Sequence, residues 1–149
     1  MILDERLEFA DALDVSAVAG TLLEGDVIDL GAVVRDIGQG QPLYLMIEVT
    51  TAFTSAGSST TGFILASDSV EAIDNGGAAT EHYNTGLIAK AVLVIGYRFQ
   101  VALPMHDPAY ERYLGILVET AVATTTAGSI NAFLALDPAG WTSYPDGVN

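Results

Sequence analysis

Two histidines, a glycine-flanked hydroxyl run and a trio of carboxylates are the residues of this sequence best suited to chemistry. His82 and His106 each lack a second histidine or a cysteine at ligand spacing, so neither assembles a zinc site locally. The run GSSTTG at residues 57–62 has the glycine spacing of a phosphate-binding loop. Phe63, however, occupies the position where a lysine must meet the phosphates, and no helical pattern follows. Asp68, Glu71 and Asp74 surround an Asn75-Gly76-Gly77 turn and have the oxygen ligands a hard cation needs, but their spacing is not that of a calcium-binding EF-hand. They read as ordinary turn carboxylates. No G-x-S-x-G elbow offers a nucleophile. Paired carboxylates hydrolyse glycosides, but with 19 acids in the chain such pairs arise by chance. The expectation is a protein that is not an enzyme and holds no cofactor and no metal.

The elements that carry these residues are strands. At 149 residues the chain suits one domain, large enough to bury a core without a disulfide or a structural metal. It has no cysteine, so redox usage says nothing of the compartment. The longest apolar run, residues 87–96, is broken by Lys90 and is far shorter than the ~20 residues of a membrane-spanning helix. Asp4, Glu5 and Glu8 stand where a secretory leader needs a basic patch and an apolar run, so no leader is expected.

Charge narrows the partners. Nineteen acids against five bases give a formal net charge of −14, a field that repels phosphate backbones; no nucleic-acid partner and no membrane partner are expected. Asp4, Glu5, Glu8, Asp11, Asp14, Glu24, Asp26, Asp29 and Asp36 crowd the start, whereas residues 84–118 hold Lys90, Arg98 and Arg112 against only Asp107 and Glu111. Two readings follow: a solvated acidic surface, or an acidic face opposite a nearly neutral docking face. Arg98 and Arg112 lie in or beside strand patterns and read as structural partners of carboxylates.

In chain order, residues 1–15 form an N-terminal arm that ends as an edge strand, although Leu3, Leu7 and Ala10 also fit a short surface helix. A β-sandwich domain then occupies 16–137, with a C-terminal tail at 138–149. Its strands are expected at residues 26–31, at 43–53, where Leu43, Leu45, Ile47 and Val49 alternate with polar or bulky neighbours, and at 63–67. Further strands are expected at 87–95 and 97–103, with irregular structure over 69–86. Residues 110–137 read as a hairpin whose arms carry Leu114, Ile116, Val118 and Val122, then Ile130, Ala132, Leu134 and Leu136, around the turn TTTAGS. The fold class is all-β, a two-sheet antiparallel sandwich with an extended N-terminal arm, and specifically a jelly roll. Trp141 lies in the polar tail, where its indole either docks on a partner or folds back over the sandwich end.

A family resemblance runs through the ordered fragments MILD at the start, VIDLG at 27–31, RDIGQGQPLYL at 35–45, GYR at 96–98, LP at 103–104, ERYLGI at 111–116 and AFLALD at 132–137. Together these resemble the capsid cement, or decoration, proteins of short-tailed bacteriophages, over nearly the whole chain to Asp137. The tail at 138–149 looks longer than is usual in that family. The resemblance implies a jelly-roll protein on the virion, at the outer capsid surface, that clamps neighbouring copies of the major capsid protein and pairs with itself as a homodimer near symmetry axes. Ile2, Leu3, Leu7 and Phe9 of the arm, with Trp141, are the expected apolar contacts. Two other readings are a carbohydrate-binding jelly-roll module on the virion surface, which needs exposed aromatics along a groove, and a glycoside hydrolase, which needs a convergent carboxylate pair.

Overall fold

A computed structural model describes residues 5–32, 37, 40–74, 76–104 and 108–138. A single 3-10 turn, Glu5–Leu7, precedes nine strands: β1 Glu8–Asp14, β2 Gly20–Asp29, β3 Tyr44–Thr54, β4 Thr60–Asp68, β5 Thr80–Asn84, β6 Ile88–Ala89, β7 Arg98–Ala102, β8 Tyr113–Ala121 and β9 Ala127–Ala135. They form two antiparallel sheets packed as a sandwich. The first has the order β1-β9-β3-β7; the second has the order β2-β8-β4-β5, with β6 also on β4. The pairs β1·β9, β2·β8, β3·β7 and β4·β5 are all antiparallel and nested, first strand with last. That is a long ribbon rolled into two sheets, a jelly roll.

Strand alternation places the core. Leu45, Ile47 and Val49 of β3 and Ile130, Ala132 and Leu134 of β9 point inward from one sheet, and meet Phe63 and Leu65 of β4 and Leu114, Ile116 and Val118 of β8 from the other. Phe63 lies near the middle, edge-on to Phe53 at 6.3 Å and tilted against Phe99 at 6.0 Å. The outer faces are not bare either. Ile64, Ala66 and Leu117 pack under Ile73 of the segment between β4 and β5, and Met46, Phe133 and Ala135 cluster on the far side of the other sheet.

Five sequence expectations are corrected. Residues 110–137 are not a hairpin: β8 and β9 lie in opposite sheets, and residues 122–126 arch between them. A side-by-side hairpin and a face-to-face arch bury the same alternating residues, so local pattern does not separate them. Val122 and Leu136, expected on the core face, are exposed because each lies just past the end of its strand. Residues 87–95 contain only the short β6 and then turn, since the chain must cross from β4 to β3; Phe53 N–H donates to the Leu93 carbonyl at 3.0 Å and Gly96 N–H to that of Val49 at 2.9 Å. Residues 69–86 include β5, and β2 begins at Gly20 rather than at Asp26.

The arm expectation is partly met. Residues 8–14 are an edge strand, but β1 belongs to the sandwich and places Phe9, 1% exposed, in the core beside Val15. A domain boundary after residue 15 therefore cuts through the sheet. Gly25 makes the close approach of β1 to β2 possible. It sits at a break in the β2·β8 register with φ +75°, and a side chain there would collide with the backbone carbonyl of Phe9. Gly25→Ala should therefore cost more than the usual Gly–Ala difference, about 2–4 kcal/mol from strain and the displaced strand together. Urea unfolding followed by circular dichroism reads this directly; a loss under about 0.5 kcal/mol would show that β1 yields freely.

Candidate docking face

Several of the residues proposed for chemistry have structural partners. Asp68 is buried and accepts from Ser69 Oγ and Val70 N–H, both at 3.2 Å, while Asp74 accepts from Gly76 N–H at 2.9 Å. Among the described residues no group of three His, Cys, Asp or Glu side chains could hold a metal ion. The run at 57–62 leads straight into β4, so no helix N-terminus faces it. His106 lies outside the described residues. Arg112 makes a bidentate pair with Asp29, at 2.9 and 2.8 Å, that holds this carboxyl at about 2, and its guanidinium lies over the Tyr113 ring. Arg98 faces the buried Glu48 at 3.6 Å.

His82 and Ser67 are within hydrogen-bond reach, 2.7 Å between Nε2 and Oγ, yet they form no nucleophilic pair. Ser67 is completely buried and its oxygen also accepts from Glu111 N–H at 2.9 Å. The imidazole stacks on Tyr110 at 3.9 Å, and its Nδ1 is buried without a partner. Burial pushes the His82 pKa below its ordinary value of 6.5. A histidine held neutral in the fold contributes stability that is present above 6.5 and is lost as pH falls toward the depressed folded value. Thermal melting midpoints should drop between about pH 7 and pH 5, and His82→Gln should flatten that drop. Equal slopes in both proteins would assign the acid sensitivity elsewhere.

The feature left unexplained by internal structure is one end of the sandwich. The registers Asp14↔Ser129, Gly20↔Thr120, Thr54↔Ala127, Thr60↔Ala121 and Thr60↔Ala89 gather the connections 15–19, 55–59 and 122–126 and the strap 85–97 at this end. Their sequences are VSAVA, SAGSS, VATTT and TGLIAKAVLVIGY, with no acid and a single base, Lys90. Hydrogen bonds join them in a row. Ala17 N–H donates to Thr125 Oγ1 at 2.8 Å, Ser55 Oγ donates to the Thr124 carbonyl at 2.6 Å, and Lys90 Nζ donates to the Ser55 carbonyl at 2.6 Å. Thr54 and Thr126 add a hydroxyl pair at 2.8 Å. The surface is preorganised, and the charge of Lys90 is turned onto a carbonyl.

Apolar side chains stand on this surface. Val122 is 76% exposed and Val18 67%, and Leu87, Val92, Val94 and Ile95 project from the strap. Val122 also has φ +71°, a conformation that costs a β-branched residue roughly 1–3 kcal/mol. Val122 thus combines backbone strain with exposure. Acids crowd the edge strands β1 and β2. There burial, followed by the charges of Asp11, Glu5 and Asp26, raises the Glu8 pKa, and burial with Asp14 raises that of Glu24.

The expected contact residues fall elsewhere. Ile2, Leu3 and Trp141 lie outside the described residues. Leu7 is half-buried against the core, and Phe9 is a core ring that no partner reaches while β1 stays paired. Phe9 as a surface contact is therefore corrected: the alternation Leu7, Phe9 turns it inward against the strands it helps to cover. The strap was visible in the sequence as an acid-free apolar run. Its flanking Gly86 and Gly96, and consecutive apolar residues that do not alternate, were the signals that it is not a core strand.

Fold and face together define a two-sheet jelly roll with an acid-free end that carries exposed apolar side chains. The Bbp16 family profile matches residues 9–134, from β1 through β9, and the chain belongs to the Bbp16 family. No curated protein matches the chain.

Proposed function

We propose that this protein is a capsid decoration, or cement, protein of a bacteriophage. It binds the outer surface of the assembled icosahedral shell, stabilises it by clamping neighbouring major capsid subunits, and pairs with a second copy there. The observation that carries the reading is the preorganised, acid-free end with its exposed valines on a chain of net charge −14. The ordered sequence fragments that resemble those of phage cement proteins favour the capsid shell as the partner.

The mechanism is thermodynamic. A ligand that binds the finished lattice better than free subunits stabilises the lattice by its differential affinity, and many symmetric copies multiply a modest contact. Loops already fixed by hydrogen bonds lose little entropy on docking, so apolar contact appears as net affinity. Approach by this end also keeps the acidic β1–β2 side away from the partner.

Val18→Asp with Val122→Asn tests the reading. Both positions are exposed, and Asn tolerates positive φ better than valine, so β circular dichroism and melting should hold or improve. Occupancy on undecorated expanded shells of the phage that carries this chain should fall at least tenfold at limiting protein, as expected when about 1.4 kcal/mol or more of contact is lost. Unchanged occupancy would remove this end from the docking surface.

A further inference from the structure

We infer that residues 139–149 form a third layer across the outer face of the β1-β9-β3-β7 sheet, with the Trp141 indole against Met46 and Phe133. The inference is independent of the proposed function, and it takes Trp141 off the partner surface.

Strand alternation turns Met46 and Glu48 of β3, and Phe133 and Ala135 of β9, away from the core between the sheets. All four are buried nonetheless: Phe133 is 1% exposed, Met46 3%, and Glu48 and Ala135 4%. The register sets them side by side, with Met46 opposite Phe133. On the same face of β9, Ala127, Ser129 and Asn131 are partly exposed, so the alternation of a sheet with one solvated face stops between Asn131 and Phe133. The neighbours of Phe133 across the ladder, Glu8 and Met46, lie beside it and not above it. A phenyl ring on the outside of a sheet does not shade itself. Since this burial arises within one molecule, the cover belongs to the same chain.

The described connections are held elsewhere. Residues 15–19, 55–59, 122–126 and 85–97 gather at the acid-free end, and Ile73 fixes the segment between β4 and β5 on the other sheet. Leu7, Ile37, Leu43, Leu103 and Tyr110 pack on the core between the sheets, which ties down the 3-10 turn and the crossings from β2 to β3 and from β7 to β8. That leaves AGWTSYPDGVN at 139–149, which begins just past Ala135 at the end of β9.

Reach and composition fit. Eleven residues span up to about 36 Å, whereas the patch from Ala135 to Asn131 is about 14 Å long, so the segment can turn back over it. An indole removes roughly 150–250 Å² from water, enough for a ring and a thioether beneath it, and sulfur against an aromatic edge is a favourable contact. The segment has one acid, Asp146, so it approaches the buried Glu48 with little repulsion.

Trp141 is the chain's single tryptophan, so its fluorescence reports the placement in the intact protein. Native emission should lie to the blue of a solvated indole, with acrylamide quenching several-fold weaker than in the urea-unfolded chain. Met46→Ala should shift emission to the red and raise quenching about twofold or more, because the gap admits the quencher. Val18→Asp, at the acid-free end, should change neither. Deleting residues 139–149 should preserve β circular dichroism and increase the binding of an apolar dye at the bared patch. Solvated emission from the native protein would overturn the inference, and so would emission indifferent to Met46→Ala. Protection lost on dilution would overturn it too, by assigning the cover to the tail of another copy. Should the deletion unfold the domain, the fluorescence of the intact chain still decides.

Discussion

The inner faces of β3 and β9 pressed against those of β4 and β8 are the contact on which the molecule depends. Each large side chain fully buried there contributes roughly 1.5–3 kcal/mol, and Phe63, Leu45, Ile47, Ile116 and Ile130 are all in that state. The position of the loops follows from it. Since β8 faces β9 across the core instead of lying beside it, residues 122–126 have to arch over the end, where they meet the arches from β1 to β2 and from β3 to β4. Three crossings from sheet to sheet at one end produce a row of adjacent turns, and the threonine and serine hydroxyls stitch that row together.

Charge is distributed around this frame in a way that core packing does not require. A chain carrying −14 could scatter its acids over every turn, and solubility would be served equally well. Instead Glu8, Asp11, Asp14, Glu24, Asp26 and Asp29 lie along β1 and β2, where burial and then neighbouring acids raise the pKa of Glu8 and Glu24, and no acid lies in the end loops or the strap. At physiological salt, charges more than about 8 Å apart are largely screened, so the separation matters at contact distance, where a bound partner would lie. The strained, exposed Val122 falls in the acid-free region as well. A surface free of acids, fixed by hydrogen bonds and set with valines, is the one proposed to dock.

Much of the fold was legible because alternation is a local signal. LYLMIEVTTAF reads as a strand, with Leu45, Ile47 and Val49 turned inward, and β3 is that strand. Both arms of residues 110–137 are strands too. Their partners were not legible, since a strand's neighbours are chosen by long-range packing, and Ile116 is equally buried in a hairpin or an arch. TEHYN of β5 was missed because a short, half-exposed edge strand has no apolar face to announce it. Phe9 shows the limit most clearly. Its inward turn depends on the approach of β1 to Gly25, a contact between residues with no shared local pattern. The near-neutral face was visible as a charge asymmetry along the chain, but its assembly at one end required the sheet registers.

The central claim is that the acid-free end is the face this protein turns toward its partner. Cryo-electron microscopy of undecorated expanded shells mixed with the purified protein tests it most directly. The account predicts ordered density on the outer surface, with residues 15–19, 55–59 and 122–126 lowermost and the β1–β2 side away from the shell. Density with the acidic β1–β2 side against the shell, or bare shells at saturating protein, would contradict it.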